Sequence, residues 1–242
     1  MLKTRNIVLA AVVMAAAALP ATAQTTEEVL GKYYDAVGGE AAWTQLSSMR
    51  ASGSIDVMGM MSGPFSIVQQ RPSKARIEIS LQGMDIVQAY DGETAWQIMP
   101  MMTGSNDPVV ADAETAQQIM EQADLDGPLI GWEEDGASIE FEGMETMDGA
   151  EMAKLKVTTK DGLVTYYYLD ENYLPVKLVA VRMIQGAETH ITTSLGDYQE
   201  IGGLMFPFVI EIDTPMGLQQ LTFDSIEVNV PVDASVFSMA GS

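Results

Sequence analysis

The sequence predicts an α+β chain: one strongly curved antiparallel sheet of about ten strands with a few helices packed on one side. Three observations carry this. Apolar residues recur at helical period before Met49 and at period two after it. Asp-Gly pairs at Asp91-Gly92, Asp148-Gly149 and Asp161-Gly162 mark turns between the alternating segments. One helical insertion, over 103–132, interrupts the strands, and no low-complexity linker or fixed-period repeat divides the chain.

The elements follow in order. Lys3 and Arg5 precede an uncharged stretch over 7–19, then Pro20 and Ala21-Thr22-Ala23. This pattern predicts a cleaved secretory leader over 1–23, because the apolar stretch is shorter than the roughly 20 residues of a spanning helix. Residues 24–242 are then one exported domain, periplasmic in a Gram-negative cell. Over 25–48 a helix is expected, with Thr25 and Glu28 at capping-box spacing and Leu30, Tyr33, Tyr34 and Val37 on one face. Gly38-Gly39 ends it, and 40–46 forms a short second helix carrying Trp43.

From Met49 the alternation predicts strands over 49–57, around Phe65–Gln69 (65–69), over 76–81, over 84–90 and over 94–99, with short connections. Asp112 caps a helix to about Ala123, carrying Ala116, Ile119, Met120 and Ala123 on one side, and Asp126-Gly127-Pro128 stops it. Further strands are expected over 138–142, 153–159, 164–169, 176–183, 189–194, 206–212 and 218–223.

Composition excludes several classes of function. Lys plus Arg is 12 against Asp plus Glu 34, a formal charge of −22, which argues against nucleic-acid binding. Loss of Lys3 and Arg5 with the leader takes it to −24. The absence of cysteine excludes disulfides, thiolate metal sites and cysteine nucleophiles, and one histidine, His190, rules out a multi-histidine metal site. No phosphate loop, nucleophile elbow or zinc-protease motif is present, so neither an enzyme nor a cofactor is expected. His190 reads as an ordinary strand histidine, Glu133-Glu134-Asp135 as a solvated turn, and Asp124-Leu125-Asp126-Gly127 lacks EF-hand spacing. The 18 methionines cluster at Met58-Gly59-Met60-Met61 and Met99-Pro100-Met101-Met102. Three readings stay open for them: core packing, an adaptable greasy site, or Cu(I) binding through thioethers.

Arg71-Pro72, the strand with Ile77 and Ile79, and Tyr90-Asp91-Gly92-Glu93-Thr94-Ala95-Trp96 followed by Pro100 stand in an order that resembles the LolA-type bacterial lipoprotein carriers. Supporting stretches are Asp126-Gly127-Pro128-Leu129, Tyr168-Leu169-Asp170, Tyr173-Leu174-Pro175-Val176-Lys177, and Asp197-Tyr198 through Gly203 to Phe206-Pro207. The resemblance spans nearly the whole chain after the leader and implies an open half-barrel with helices covering its concave face. It also implies a carrier that shields lipoprotein acyl chains or another lipid in outer-membrane lipoprotein sorting. Its partners would be an inner-membrane transporter and an outer-membrane acceptor. Arg71 takes the position that locks the helical lid through bonds to lid backbone. Candidate wall residues are Ile77, Ile79, Leu81, Met84, Ile86, Trp96 and Ile98, and candidate lid residues are Ile119, Met120 and Leu129. An envelope sensor or accessory module of the same architecture remains open beside the carrier.

Overall fold

The computed structural model of the protein describes residues 24–126, 129–134, 136–184, 187–215 and 217–239. The expected leader over 1–23, the Gly127-Pro128 stop and Asp135 lie outside the described residues. Among the described residues thirteen strands form one antiparallel sheet, against the ten or so expected from pattern alone. The first run comprises β1 (Ser48–Val57), β2 (Met61–Gln70), β3 (Lys74–Leu81), β4 (Met84–Tyr90), β5 (Ala95–Ile98) and β6 (Val109–Val110). The second comprises β7 (Ser138–Met147), β8 (Ala150–Thr158), β9 (Val164–Leu169), β10 (Pro175–Ile184), β11 (Ala187–Ile201), β12 (Leu204–Thr214) and β13 (Gly217–Val228). Each run is a meander, and the pairing of β1 with β13 joins them. The helices are α1 (Thr26–Ala36), α2 (Glu40–Thr44), α3 (Pro100–Thr103) and α4 (Ala113–Glu121), followed at the end by a 3-10 turn, Ala234–Phe237.

This topology dictates where the insertion goes. The two edges of the sheet, β6 and β7, are consecutive in the chain. Residues 111–137 must therefore travel from one edge of the half-barrel to the other. The described residues among them cross the concave face, where the Gln69 amide meets the Gln122 carbonyl at 2.6 Å.

Local chemistry explains the helices. Thr25 Oγ1 accepts from the Glu28 N–H at 3.2 Å, and Glu28 Oε2 accepts from the Thr25 N–H at 3.1 Å, so both halves of the capping box form at α1. The Val37 carbonyl past its end accepts from the Met205 N–H at 3.1 Å, which docks the helix on the β11–β12 hairpin. Thr26 Oγ1 accepts from the Phe141 N–H at 3.0 Å, so the start of α1 covers part of the β7 edge. The 25–48 helical segment thus resolves into two short helices around Gly38-Gly39.

Curvature comes from two close approaches. A Cβ at Gly53 would stand 2.0 Å from the Thr222 carbonyl oxygen, and one at Gly63 would stand 1.8 Å from that of Ser80. Both glycines project to the helix-covered face by register, and a bulge breaks the β1–β13 ladder between Ser52 and Gly53. Missing side chains on the inner face let neighbouring strands coil toward one another there.

Three groups of buried side chains lie on that inner face. In the first, Val29, Leu30, Tyr33 and Val37 of α1 pack on Leu155, Val157, Tyr167 and Leu169. In the second, Leu46 and Leu125 pack on Ala51, Leu204, Phe206 and Ile226. The third is Ile55, Phe65 and Leu81, with Ile79, Ile86, Leu221 and Phe223 packed against them, and its members come from strands alone. Burial pushes the Tyr33 and Tyr167 phenols well above their ordinary range, as the apolar first group requires.

Gly53→Ala is expected to destabilise the fold by about 1–3 kcal/mol, the range for overpacking, because strand backbone has to move. Gly196→Ala meets nothing within 4 Å and should be neutral or slightly stabilising. Urea unfolding of the two variants beside the parent checks the contrast.

Candidate functional site

The third group is the candidate site. Register builds it row by row, since directly paired residues of neighbouring strands share a face. Phe223, Gly53, Phe65, Ile79 and Ile86 form one continuous row across β13, β1, β2, β3 and β4. Leu221 and Ile55 stand beside it in the next row, and Leu81 pairs with Met84. The Phe65 and Phe223 rings meet edge to face with centroids 5.1 Å apart. The result is an apolar floor at the hairpin end of the concave face, made without a helical residue.

Ile77, Ile79, Leu81, Met84 and Ile86 all lie on this inner face, and Ile79, Leu81 and Ile86 belong to the same apolar group. Trp96 and Ile98 do not. Ala89 pairs with Trp96 and Val87 with Ile98, so both residues project from the outer face. There Trp96 is 1% exposed, and its Nε1 donates to the Phe237 carbonyl at 2.8 Å. The Arg76 guanidinium lies 5.3 Å from the Trp96 ring centroid and donates to the Val236 carbonyl at 3.1 Å. Trp96 therefore anchors the C-terminal segment on the back of the sheet. The turn itself carried the signal: any hairpin loop of two or four residues after Tyr90 pairs even-numbered positions of β4 with odd-numbered ones of β5. Trp96 could not share a face with Ile86. The residues missed by the sequence reading are Ile55, Phe65, Leu221 and Phe223, because nothing local announces that β13 lies beside β1.

The lid residues divide as well. Ile119 is buried on the underside of α4, whereas Met120 is more than one-third exposed. Leu129 is buried in the first group with α1, over the other half of the sheet.

Arg71 is a hub. Its Nε donates to the Leu46 carbonyl at 2.5 Å, and its Nη2 donates to the Trp43 carbonyl at 3.0 Å and to Asp126 Oδ1 at 2.5 Å. The expected bonds to lid backbone are replaced. The carbonyls belong to α2 and its exit, and contact with the lid segment runs through the Asp126 carboxylate. The carbonyl at the end of the lid helix is held by Gln69 instead. A guanidinium presents its donors in a fixed fork, so one side chain can tie two segments to the β2–β3 turn at once.

Met58 and Met60 are exposed on the β1–β2 hairpin, and Met101 and Met102 are exposed in α3. Both groups sit at the same end of the sheet as the apolar floor. His190 is exposed, with Nε2 3.3 Å from Glu188 Oε1. Among the described residues no group of three or more His, Asp or Glu could hold a metal ion, and no helix is long and apolar enough to cross a membrane.

No family model and no curated protein sequence matches the chain. Solved structures do. A LolA superfamily protein from Nitrosomonas europaea is similar with a TM-score of 0.59 at 14% identity, over 89% of this chain and 98% of that one. An outer membrane lipoprotein-sorting protein domain from Vibrio parahaemolyticus is similar with a TM-score of 0.56 at 10% identity, over 87% of this chain and 95% of that one. The fold is LolA-like.

Arg71→Leu is expected to speed amide hydrogen exchange in two places, 40–47 and 122–126, because both are tied by one guanidinium. Asp126→Asn should loosen only the second. Hydrogen bonds to a charged group are worth roughly 1.5–3 kcal/mol each, which is enough to raise local exchange rates by tenfold or more. Exchange mass spectrometry of the two variants separates a hub from an ordinary surface ion pair.

The cap of α4 gives a pH expectation. The Thr115 N–H donates to Asp112 Oδ1 at 2.9 Å and holds the carboxyl below its usual value of 3.8. A depressed folded value means that the cap stabilises fully above pH 3.8 and is lost as pH falls through the lower folded value. Exchange in residues 113–118 should accelerate only below pH 3.8, and Asp112→Asn, which still accepts a hydrogen bond, should remove most of that dependence.

Proposed function

We propose that the protein, with its LolA-like fold, is a non-enzymatic periplasmic carrier that shields lipoprotein acyl chains or another lipid on its concave apolar floor. The observation that carries this reading is the third apolar group. Ten apolar side chains from β1, β2, β3, β4 and β13 face the lid side with no helical partner among them. A sheet face of this kind is suited to an apolar guest, because burying an acyl chain is worth about 0.8 kcal/mol per CH₂. A long chain gains on the order of 10 kcal/mol before ordering costs.

The lid segment supports the same reading. It crosses the mouth of the sheet with Ile119, Leu125 and Leu129 buried, and its polar ties among the described residues include Gln69 to the Gln122 carbonyl and Arg71 to Asp126. Such contacts can be exchanged for others when the lid moves, at a cost that a buried acyl chain offsets. The leader pattern over 1–23 supports a location beyond the inner membrane, and the charge of −24 left after its removal favours solubility of the loaded form. Export by a transporter and delivery to an outer-membrane acceptor complete the cycle, in lipoprotein sorting.

Native mass spectrometry after detergent-free purification should find a lipid or acylated species bound. Ile86→Asn, which puts a carboxamide in the middle of the floor, should retain the fold by circular dichroism and lose about tenfold or more of the affinity for an acyl chain. A purified protein that takes up neither acyl probes nor lipid would sink the carrier reading.

A further inference from the structure

We propose that the sheet edge beneath α4 is a headgroup subsite for an uncharged amphiphile that carries O–H or N–H donors beside its acyl chain. The inference rests on the carrier reading and names the ligand class that it leaves open.

The apolar floor changes character toward β5, the strand next to the β6 edge. The row that begins with Ile67 and Ile77 continues into Gln88 and Gln97. The next row runs Gln69, Ala75, Tyr90 and Ala95. Three carboxamides and a phenol thus project onto the concave face where α4 lies against β3, β4 and β5. Two of these groups are committed: Gln69 donates to the Gln122 carbonyl at 2.6 Å, and the Tyr90 hydroxyl donates to the Gly92 carbonyl at 2.9 Å.

Gln97 is different. The residue is 9% exposed, yet among the described residues its buried Oε1 has no hydrogen-bond partner. A buried acceptor left unpaired is destabilising, and native proteins pair nearly all such groups. An unpaired oxygen beside a greasy floor is an acceptor awaiting a donor.

Charge narrows the ligand further. Neither row contains a cation. Arg71 is occupied by Asp126 and two carbonyls, and Arg76 lies on the outer face with Glu78, Trp96 and Val236. A carboxylate or phosphate at this edge would be buried without a partner, which is strongly unfavourable. A hydroxyl or amide headgroup satisfies Gln97, while its chain runs along Ile86 and Ile79, the inner positions that follow Gln88 on β4 and Ile77 on β3.

Three probes with one acyl chain test this: 1-monolauroylglycerol, methyl laurate and laurate, each titrated into the full chain by displacement of an apolar dye. The glycerol ester should bind about tenfold more tightly than the methyl ester, the effect of one hydrogen bond to a buried acceptor. Laurate should bind worst at neutral pH. In Gln97→Met, which keeps the side chain's length without its acceptor, the ratio between glycerol and methyl ester should fall to about one. Its thermal midpoint should be unchanged or raised, since an unpaired polar atom has been removed. Equal binding of both esters by the parent protein, or a preference that survives in Gln97→Met, would overturn the subsite. Failure of all three probes to bind would overturn the carrier reading itself, and the subsite with it.

Discussion

The rest of the molecule depends on the pairing of β1 with β13. The ladder runs from Met49 opposite Val228 to Val57 opposite Gln219, broken once at Gly53. It joins two meanders that would otherwise be separate sheets, each with one apolar face and two exposed edges. Once it forms, the outermost strands are β6 and β7, and the chain between them has to cross the open side. The lid is thus a consequence of topology before it is a consequence of its own sequence. The pairing also assembles the apolar floor, because Leu221 and Phe223 reach Ile55 and Phe65 only through it. Contacts between residues so far apart in sequence carry a loop-closure entropy cost, which a meander closed from its two ends has to offset.

The two faces of the sheet are used differently. On the inner face, α1 covers the β7–β9 half with large apolar side chains, and the other half is left to the lid. On the outer face, the C-terminal segment is fastened over β3–β5 by Phe237, which is fully buried, and by the Trp96 and Arg76 contacts. Farther along that outer face, Lys154 stands 4.7 Å from the Tyr166 ring centroid and bonds Glu142 and Glu145. These contacts stabilise the convex side without blocking the concave one. A half-barrel that must stay open on one side needs its rigidity from elsewhere, and the back of the sheet supplies it.

The polar contacts of the lid are mixed in kind. Arg71 holds α2 and the lid segment together, so the two coverings of the concave face share one tether. Gln69 reaches up from the floor to the end of α4. Beside them the lid segment buries Ile119, Leu125, Leu129 and Ile130, and such apolar packing resists opening through loss of many small dispersion terms at once. Hydrogen bonds to carbonyls and one carboxylate can instead be traded for water or for a ligand.

Local chemistry was legible in the sequence. The Thr25–Glu28 capping box, the Asp112 cap and the Asp91 turn each act within about four residues, and all three form as their spacing requires. Alternation of apolar residues determined the strands and put Ile77, Ile79, Met84 and Ile86 on one face. Trp96 was also legible through its turn, but hydrophobicity misleads there, because the outer face is apolar wherever the C-terminal segment covers it. What only the tertiary structure decided was partnership across long separations: β13 beside β1, Asp126 beside Arg71, Phe237 beneath Trp96, and Gln97 buried without a donor. A period of two says which side chains share a face of one strand. It carries no information about which distant strand lies alongside, since that is settled by the summed burial of the whole sheet.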